Sequence, residues 1–378
     1  MEGGPEQFDS GPSRVPGRLV GVVVLAVLVV VALVVLDQRR LDRSLPPPPP
    51  PTGPATPRGR AAPAVSTTPR PSLAASVTTA RGSGPLAAGV PAGRLYARGR
   101  DVLYAIDAAT GTVVRTRGVE LGSTGPVSLV ATRRGVLLRP FDTVPGLRVD
   151  DGRAPVPLAG ALASADEVLP GPDGRLWALD VDGPESRARL VDDRGRPAGP
   201  RTRTSGSFLG DGAGGLLLQD VGGVWQVHPG PVRRLTTGAV TAAGPTTLLL
   251  HECDARHRCA DVLVDRGSGR REPVGSERRG DPPSGTTAPG GAHAALTVSG
   301  TDGATRTVVR RLPDGEVVQT LTAPTDRFGL PGSAVWMSSR WLAVTAGARL
   351  SLYDTVRDVA VVPDVDLDAV DQLAWRPS

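Results

Sequence analysis

The chain of 378 residues has no lysine, so all 43 of its basic side chains are arginine. Histidine is scarce as well, with four residues at positions 228, 251, 257 and 293, and Cys253 and Cys259 are the only cysteines. These shortages exclude much chemistry. Few histidines and no Gly-x-Ser-x-Gly run leave no hydrolase triad and no nucleophile elbow. Long 3.6-residue periodicity is missing too, and glycine interrupts every candidate amphipathic helix. A net charge of +5 suits a polyanionic partner. Yet the arginines are scattered among aspartates and no nucleic-acid motif accompanies them. Abundant Ala, Gly, Pro, Val and Arg match what a GC-rich genome encodes, so nucleic acid is not the expected partner.

One long apolar run is present. Leu19–Leu36 holds 18 residues without a charge or a side-chain hydrogen-bonding group: ten Val, five Leu, two Ala and Gly21. As a helix it spans ~27 Å, close to the hydrocarbon core of a bilayer. Lipid forces even valine-rich backbone into a helix, because an unpaired peptide group there is so costly. A cleaved signal peptide is the alternative, but no small-x-small site follows Leu36; Asp37-Gln-Arg-Arg40 does. The expectation is a retained signal anchor over residues 19–36, preceded by a short cytoplasmic segment, 1–18. Arginines near the two ends number two before and three after, which slightly favours the opposite orientation, but that rule weakens for a long translocated domain and does not decide the matter.

Between Pro46 and Pro91 lie 13 prolines and no acidic residue. Such a stretch has too little apolar surface to offset its ordering entropy. Residues 37–93 are therefore expected to be a disordered spacer, and its Pro46–Pro91 part reaches roughly 140 Å when fully extended. That length suits a stalk lifting a domain through a cell envelope.

From Arg94 on, 285 residues read as short apolar strands separated by Gly, Asp and Pro turns. Val102–Ile106, Val136–Leu138, Leu176–Leu179, Leu216–Leu218, Leu248–Leu250 and Leu342–Val344 are such strands. Turn markers recur at Asp107–Gly111, Asp150–Gly152, Asp193–Gly195, Pro229-Gly230, Asp265–Gly269, Pro313–Gly315 and Asp354, at a mean spacing of about 41 residues. A period of that size with strands and no helices predicts an all-β β-propeller over residues 94–378, with seven blades, or six or eight given how far the repeats diverge. The first repeat holds three strands before Gly118. The segment Val370–Ser378 is expected to supply the fourth and close the ring.

Asp101-Val-Leu-Tyr-Ala-Ile-Asp-Ala-Ala-Thr-Gly-Thr-Val-Val114 resembles the blade motif of the quinoprotein-like and WD40/YVTN-like propeller superfamilies. Gly171-Pro-Asp-Gly-Arg-Leu-Trp177 is similar to hairpins of bacterial sensor propellers. Over about three quarters of its length the chain is like the membrane-anchored propeller proteins of actinobacteria. The resemblance implies fold rather than activity. It raises a quinone-dependent dehydrogenase as the enzyme reading, but such enzymes use an adjacent cysteine pair and dense tryptophan docking motifs. Here the cysteines are separated and there are five Trp.

The sharpest local feature is Thr246–Asp265, two strands flanking a tip that carries Cys253 and Cys259. Facing hairpin positions suit a disulfide, which fits an oxidising compartment and would place the C-terminal domain outside the cytoplasm. Zinc is the other reading, through His251, Cys253, His257 and Cys259, although the spacing matches no familiar zinc pattern and Arg256 and Arg258 would crowd a cation. Asp364, Asp366, Asp368 and Asp371 offer carboxylates for calcium or a solvated loop. Trp336 and Trp341 offer a ligand surface or blade packing. No catalytic residue, cofactor site or metal site is assigned. The expected activity is non-enzymatic: a cell-membrane-anchored, extracytoplasmic propeller that binds or scaffolds a protein or an envelope polymer. An envelope sensor working through a membrane partner, and a quinoprotein- or lyase-like enzyme, are the alternatives.

Overall fold

The computed structural model describes residues 76–99, 101–119, 127–140, 145–182, 185–254, 256, 258–275, 283–299, 305–322, 334–346 and 349–378. The expected anchor at 19–36, the cytoplasmic segment 1–18, spacer residues 37–75 and His257 lie outside the described residues. Among the described residues no helix is long and apolar enough to cross a membrane.

The chain enters as β1 (Ser76–Ala80), followed by β2 (Gly93–Gly99), β3 (Val102–Asp107) and β4 (Val113–Arg117). A meander of β5 (Val127–Ala131), β6 (Gly135–Pro140), β7 (Leu147–Asp150) and β8 (Val156–Pro157) comes next. The one-turn helix α1 (Ala161–Ser164) leads into β9 (Glu167–Pro170), β10 (Leu176–Asp182), β11 (Glu185–Val191) and β12 (Pro197–Ser205). Then follow β13 (Ser207–Gly210), β14 (Leu216–Asp220), β15 (Gly223–His228) and β16 (Arg233–Thr236). After them run β17 (Ala239–Ala243), β18 (Thr247–Cys253), β19 (Cys259–Asp265) and β20 (Arg271–Val274). A further meander is β21 (Ser284–Thr287), β22 (His293–Ser299), β23 (Thr305–Arg311) and β24 (Val317–Thr322). The chain ends with β25 (Ala334–Trp336), β26 (Trp341–Ala346), β27 (Arg349–Asp354), β28 (Val359–Val361) and β29 (Val370–Pro377).

The arrangement is an all-β propeller. Five sheets of four or five strands stand separately, and an eight-stranded sheet joins two further meanders through parallel pairing of β17 with β21. Those two strands are rich in Ala, Gly, Ser and Thr, and small side chains let their backbones approach to ladder distance. The last strand, β29, pairs antiparallel with β2, so the C-terminus completes the first sheet as its sequence suggested.

The core is divided into seams rather than centred. Each meander's second strand is buried on both faces, and alternate residues feed opposite seams. Leu248 and Leu250 pack with Leu217 and Val224, while Leu249 between them packs with Ala294 and Leu296. Likewise Leu216 and Leu218 join Trp177 and Phe208, and Leu217 turns the other way. This explains why these strands read as unbroken apolar runs instead of alternating ones.

Every turn marker falls between the third and fourth strands of its meander. At the first, Asp107 accepts from the amides of Ala109 and Thr110 at 3.1 and 3.0 Å, and Gly111 takes the left-handed φ of 65° that closes the turn. Asp192, Asp265 and Asp354 cap equivalent turns in the same way.

Two differences from the sequence reading stand out. The ordered domain begins before residue 94: Ser76–Ala80 is a strand on β4, and Leu86, 5% exposed, packs into the core. The spacer ending at residue 93 is thus corrected, because Ser76–Ala80 is exposed at all five positions and carries no apolar stripe to announce it. Its order comes from backbone bonding to an edge that already exists. The first sheet consequently has five strands, in the order β1-β4-β3-β2-β29.

Candidate functional site

Cys253 and Cys259 face each other in the β18/β19 register with Cα atoms 4.0 Å apart, and the two are joined as a disulfide. One step inward on the same face, His251 lies opposite Asp261, and its Nδ1 is 3.0 Å from the Asp261 carboxylate. Of the four residues considered for zinc, His251, Cys253 and Cys259 bring their donor atoms within 4.8 Å of one another. As a disulfide, however, the two sulfurs are not thiolates and offer no metal a charged donor.

The acidic tail does not converge on a point. Asp366 pairs with Arg115 at 2.7 Å, Asp368 accepts from the Tyr104 hydroxyl at 2.7 Å, and Asp371 accepts both Nε and Nη2 of Arg98 at 3.0 and 2.6 Å. Three of the four carboxylates therefore serve separate partners on the first sheet. Burial, together with the hydrogen bond to Asp368, pushes the Tyr104 phenol up to about 12. Trp336 and Trp341 are both buried and donate to backbone carbonyls of Thr286 and Gly89 at 3.2 and 2.8 Å. They belong to seam packing. His228 stands edge-on to Trp177, and His293 lies beside Trp336. Burial and the nearby Arg311 charge lower the His293 pKa.

A site the sequence reading did not single out lies on the β9–β12 sheet. Its register sets Asp180 opposite Arg187, Arg187 opposite Arg203, and Arg189 opposite Arg201. Alternate residues of a strand share a face, so all four arginines occupy one side. Asp180 accepts from Arg189, and Glu185 accepts from the Arg203 Nε at 2.6 Å. Asp180, Arg187, Arg189, Arg201, Thr202 and Arg203 line an open cavity of about 320 Å³. The lining thus carries four guanidinium groups and one carboxylate. Arg201 is exposed and has no hydrogen-bond or ion-pair partner among the described residues.

The physical setting makes this face rigid behind and open in front. On the opposite side, Ala188 and Leu190 are buried against Phe208 and Leu216, which fixes the strands. In front, the neighbouring meander ends in β8, two residues long, which cannot cover the nine residues of β12. Like charges directly opposite across a ladder are destabilising. Asp180 and Glu185 offset part of that cost. An incoming anion would offset more, because guanidinium forks bind carboxylate or phosphate oxygens in pairs.

The missed signal was local. Arg187-Ala-Arg189 and Arg201-Thr-Arg203 each space two arginines at the period of a strand. Counting charge over the whole chain hides that period, whereas reading it strand by strand reveals it. Glu167, at the start of β9 on the inner edge of the same sheet, was also missed. Burial pushes its carboxyl up to about 7, and no charge partner contributes to that shift.

No family model matches the chain, and no curated protein does. Solved propeller structures do. TolB from Acinetobacter baumannii aligns over 77% of this chain and 68% of its own, with a TM-score of 0.42 and 17% identity. Apo AztD from Citrobacter koseri aligns over 76% of this chain and 98% of its own, at 0.45 and 12%. A candidate 6-phosphogluconolactonase from Bacteroides fragilis aligns over 77% and 99%, at 0.49 and 9%. The likeness is one of fold alone.

Proposed function

We propose that this chain is a single-pass membrane protein whose propeller lies outside the cytoplasm and works as a non-enzymatic binding module, holding an anionic segment of a protein or envelope polymer on its arginine face. The observation that carries the reading is the cavity on β10–β12, lined by four guanidinium groups and one carboxylate. That carboxylate, Asp180, is engaged by Arg189. Arginine stays protonated at any physiological pH, so the face supplies fixed donors suited to holding an anion rather than moving a proton. Placement outside the cytoplasm rests on the apolar run 19–36, the proline-rich spacer and the paired cysteines.

The blade number in this reading is seven. The two halves of the eight-stranded sheet are joined through the inner strands β17 and β21, and each half has its own third-to-fourth strand turn, at Asp265–Gly269 and Pro313–Gly315. The buried apolar residues also divide into seven clusters, each bridging two consecutive meanders around the ring.

Two measurements test the proposal. Thiol labelling of intact cells should mark Cys253 and Cys259 from outside only after reduction; labelling that needs lysis and no reductant would put the domain in the cytoplasm. Full-length protein in detergent should bind polyglutamate or polyphosphate in a salt-sensitive way, and Arg201→Gln/Arg203→Gln should weaken that binding. Equal binding by the variant would remove the arginine face from the function.

A further inference from the structure

Two outer strands of this propeller carry the same tripeptide. In β4 it is Arg115-Thr116-Arg117, and in β12 it is Arg201-Thr202-Arg203. The edge of β4 is occupied: β1 pairs with it from Ser76 opposite Arg117 to Ala80 opposite Val113, and the Asp366 carboxylate sits on Arg115 at 2.7 Å. By contrast, β12 ends its sheet, whose order is β12-β11-β10-β9, and nothing among the described residues pairs beyond it. The molecule therefore shows what an Arg-Thr-Arg outer strand accepts in one place and leaves the same strand open in another.

We propose that β12 accepts an acidic, extended segment of a partner protein as an added strand, with carboxylates at alternate positions meeting Arg201 and Arg203. This rests on the anionic-binding reading above and names its ligand class. The available edge is defined. Pro197 and Pro200 have no N–H and stand beside the register shift between Arg189 and Val191, so the first half of β12 is blunted. From Arg201 to Ser205 the strand pairs regularly with Glu185–Arg189. Five residues of edge, about 17 Å, remain for pairing. On an extended ligand, residues two apart share a face and repeat every 6–7 Å or so, the same period as the two arginines.

Arginines on an outer strand also guard against edge-to-edge association, and here the guard is selective. Arg201 and Arg203 repel a basic strand, are indifferent by charge to a neutral one such as the Ser-Val-Thr-Thr-Ala strand β1 on β4, and attract an acidic one. A second copy of this chain pairing β12 with β12 would bring four arginines together with only the Glu185 carboxylate of each copy, already on Arg203, to offset them. The alternating acidic run of the chain itself, Asp364 to Asp368, is not a free ligand either, because Asp366 and Asp368 already serve Arg115 and Tyr104. An acidic strand from a different protein is what fits.

The test uses full-length protein in detergent and three capped peptides. One alternates Glu with Thr and Val, one replaces every Glu of that peptide with Lys, and one carries the same negative charge but is interrupted by prolines. Binding is read by fluorescence anisotropy, and amide exchange of residues 201–205 is followed in each complex. The alternating acidic peptide should bind at least tenfold more tightly than the proline-interrupted one and slow exchange along 201–205. Arg201→Glu/Arg203→Glu should invert the preference, taking the Lys peptide over the Glu peptide. Equal binding of the two acidic peptides with no slowing of exchange would overturn strand addition and leave a side-chain anion site. Tighter binding of inorganic polyphosphate than of any peptide, again without protection, would overturn it in favour of an envelope polymer. Binding indifferent to both arginines would overturn this inference and the anionic reading together.

Discussion

β4 and β12 carry the same tripeptide and are each the fourth strand of a meander, yet one is covered and the other is not. The cover on β4 owes little to the side chains of β1, none of which is buried. It is held by ladder bonds and by the chain that follows, where Leu86 is buried among Leu95, Tyr104 and Leu350. The edge of β12 has no such tether. An outer strand of a propeller is therefore closed by what the chain can anchor beside it rather than by its own sequence. The short neighbour β8 leaves β12 further exposed.

The largest expected effect removes the tether. Leu86→Ala should destabilise the fold by about 2–5 kcal/mol, the usual range for truncating a buried leucine. It should also raise amide exchange in β4, so that β4 comes to behave like β12. Denaturant titration and exchange mass spectrometry read the two consequences. A loss of stability without faster exchange in β4 would mean that β1 is held by its ladder alone.

A second effect concerns the inner edge of the sheet that ends in β12. Glu167 binds its proton more tightly in the folded chain than in the unfolded one, because burial pushes its carboxyl up to about 7. The folded state is thus penalised once the unfolded chain would ionise. Stability should fall as pH rises from the ordinary carboxylate range to about 7 and then level off. Glu167→Gln should remove that slope and raise stability near pH 8 by about 3 kcal/mol. Parallel pH profiles for the variant and the parent chain would place the burial of Glu167 in doubt.

Smaller again is the effect of the hairpin disulfide, whose two cysteines enclose five residues. Reduction should cost roughly 2 kcal/mol by the loop-entropy account, with β12 binding unaffected because the disulfide lies on a different sheet. Coupled loss of stability and of peptide binding would argue that the two sheets communicate.

Much of the fold was legible because the physics that builds it is periodic. Unbroken runs such as Leu216–Leu218 and Leu248–Leu250 announce strands buried on both faces, and Asp/Gly turns announce the hairpins between third and fourth strands. The facing cysteines were legible for the same reason, since two strands of equal length meet at their tips. What escaped reading was set by tertiary context. Ser76–Ala80 has no apolar pattern, and its order depends on an edge built elsewhere in the chain. Arg201 and Arg203 look like two more scattered arginines until the register sets them opposite Arg189 and Arg187. The acidic tail read as one possible calcium loop, yet three of its carboxylates part to serve Arg115, Tyr104 and Arg98.

The smallest effect on stability tests the comparison most directly. Asp366 is 94% exposed on its side chain, so its pair with Arg115 should contribute ~0.5 kcal/mol or less, and Asp366→Asn should leave the denaturation midpoint almost unchanged. What it changes is charge: Arg115 loses its paired carboxylate, as Arg201 lacks one, while keeping its bond to the Asp366 backbone carbonyl. If an open backbone edge decides where an acidic strand docks, this variant gains no second peptide site, because β1 still covers β4. Binding stoichiometry measured by calorimetry should remain that of the parent chain. A second site appearing in Asp366→Asn would show that exposed arginine alone recruits the peptide, and the difference between the covered strand and the open one would then be a difference in charge rather than in backbone.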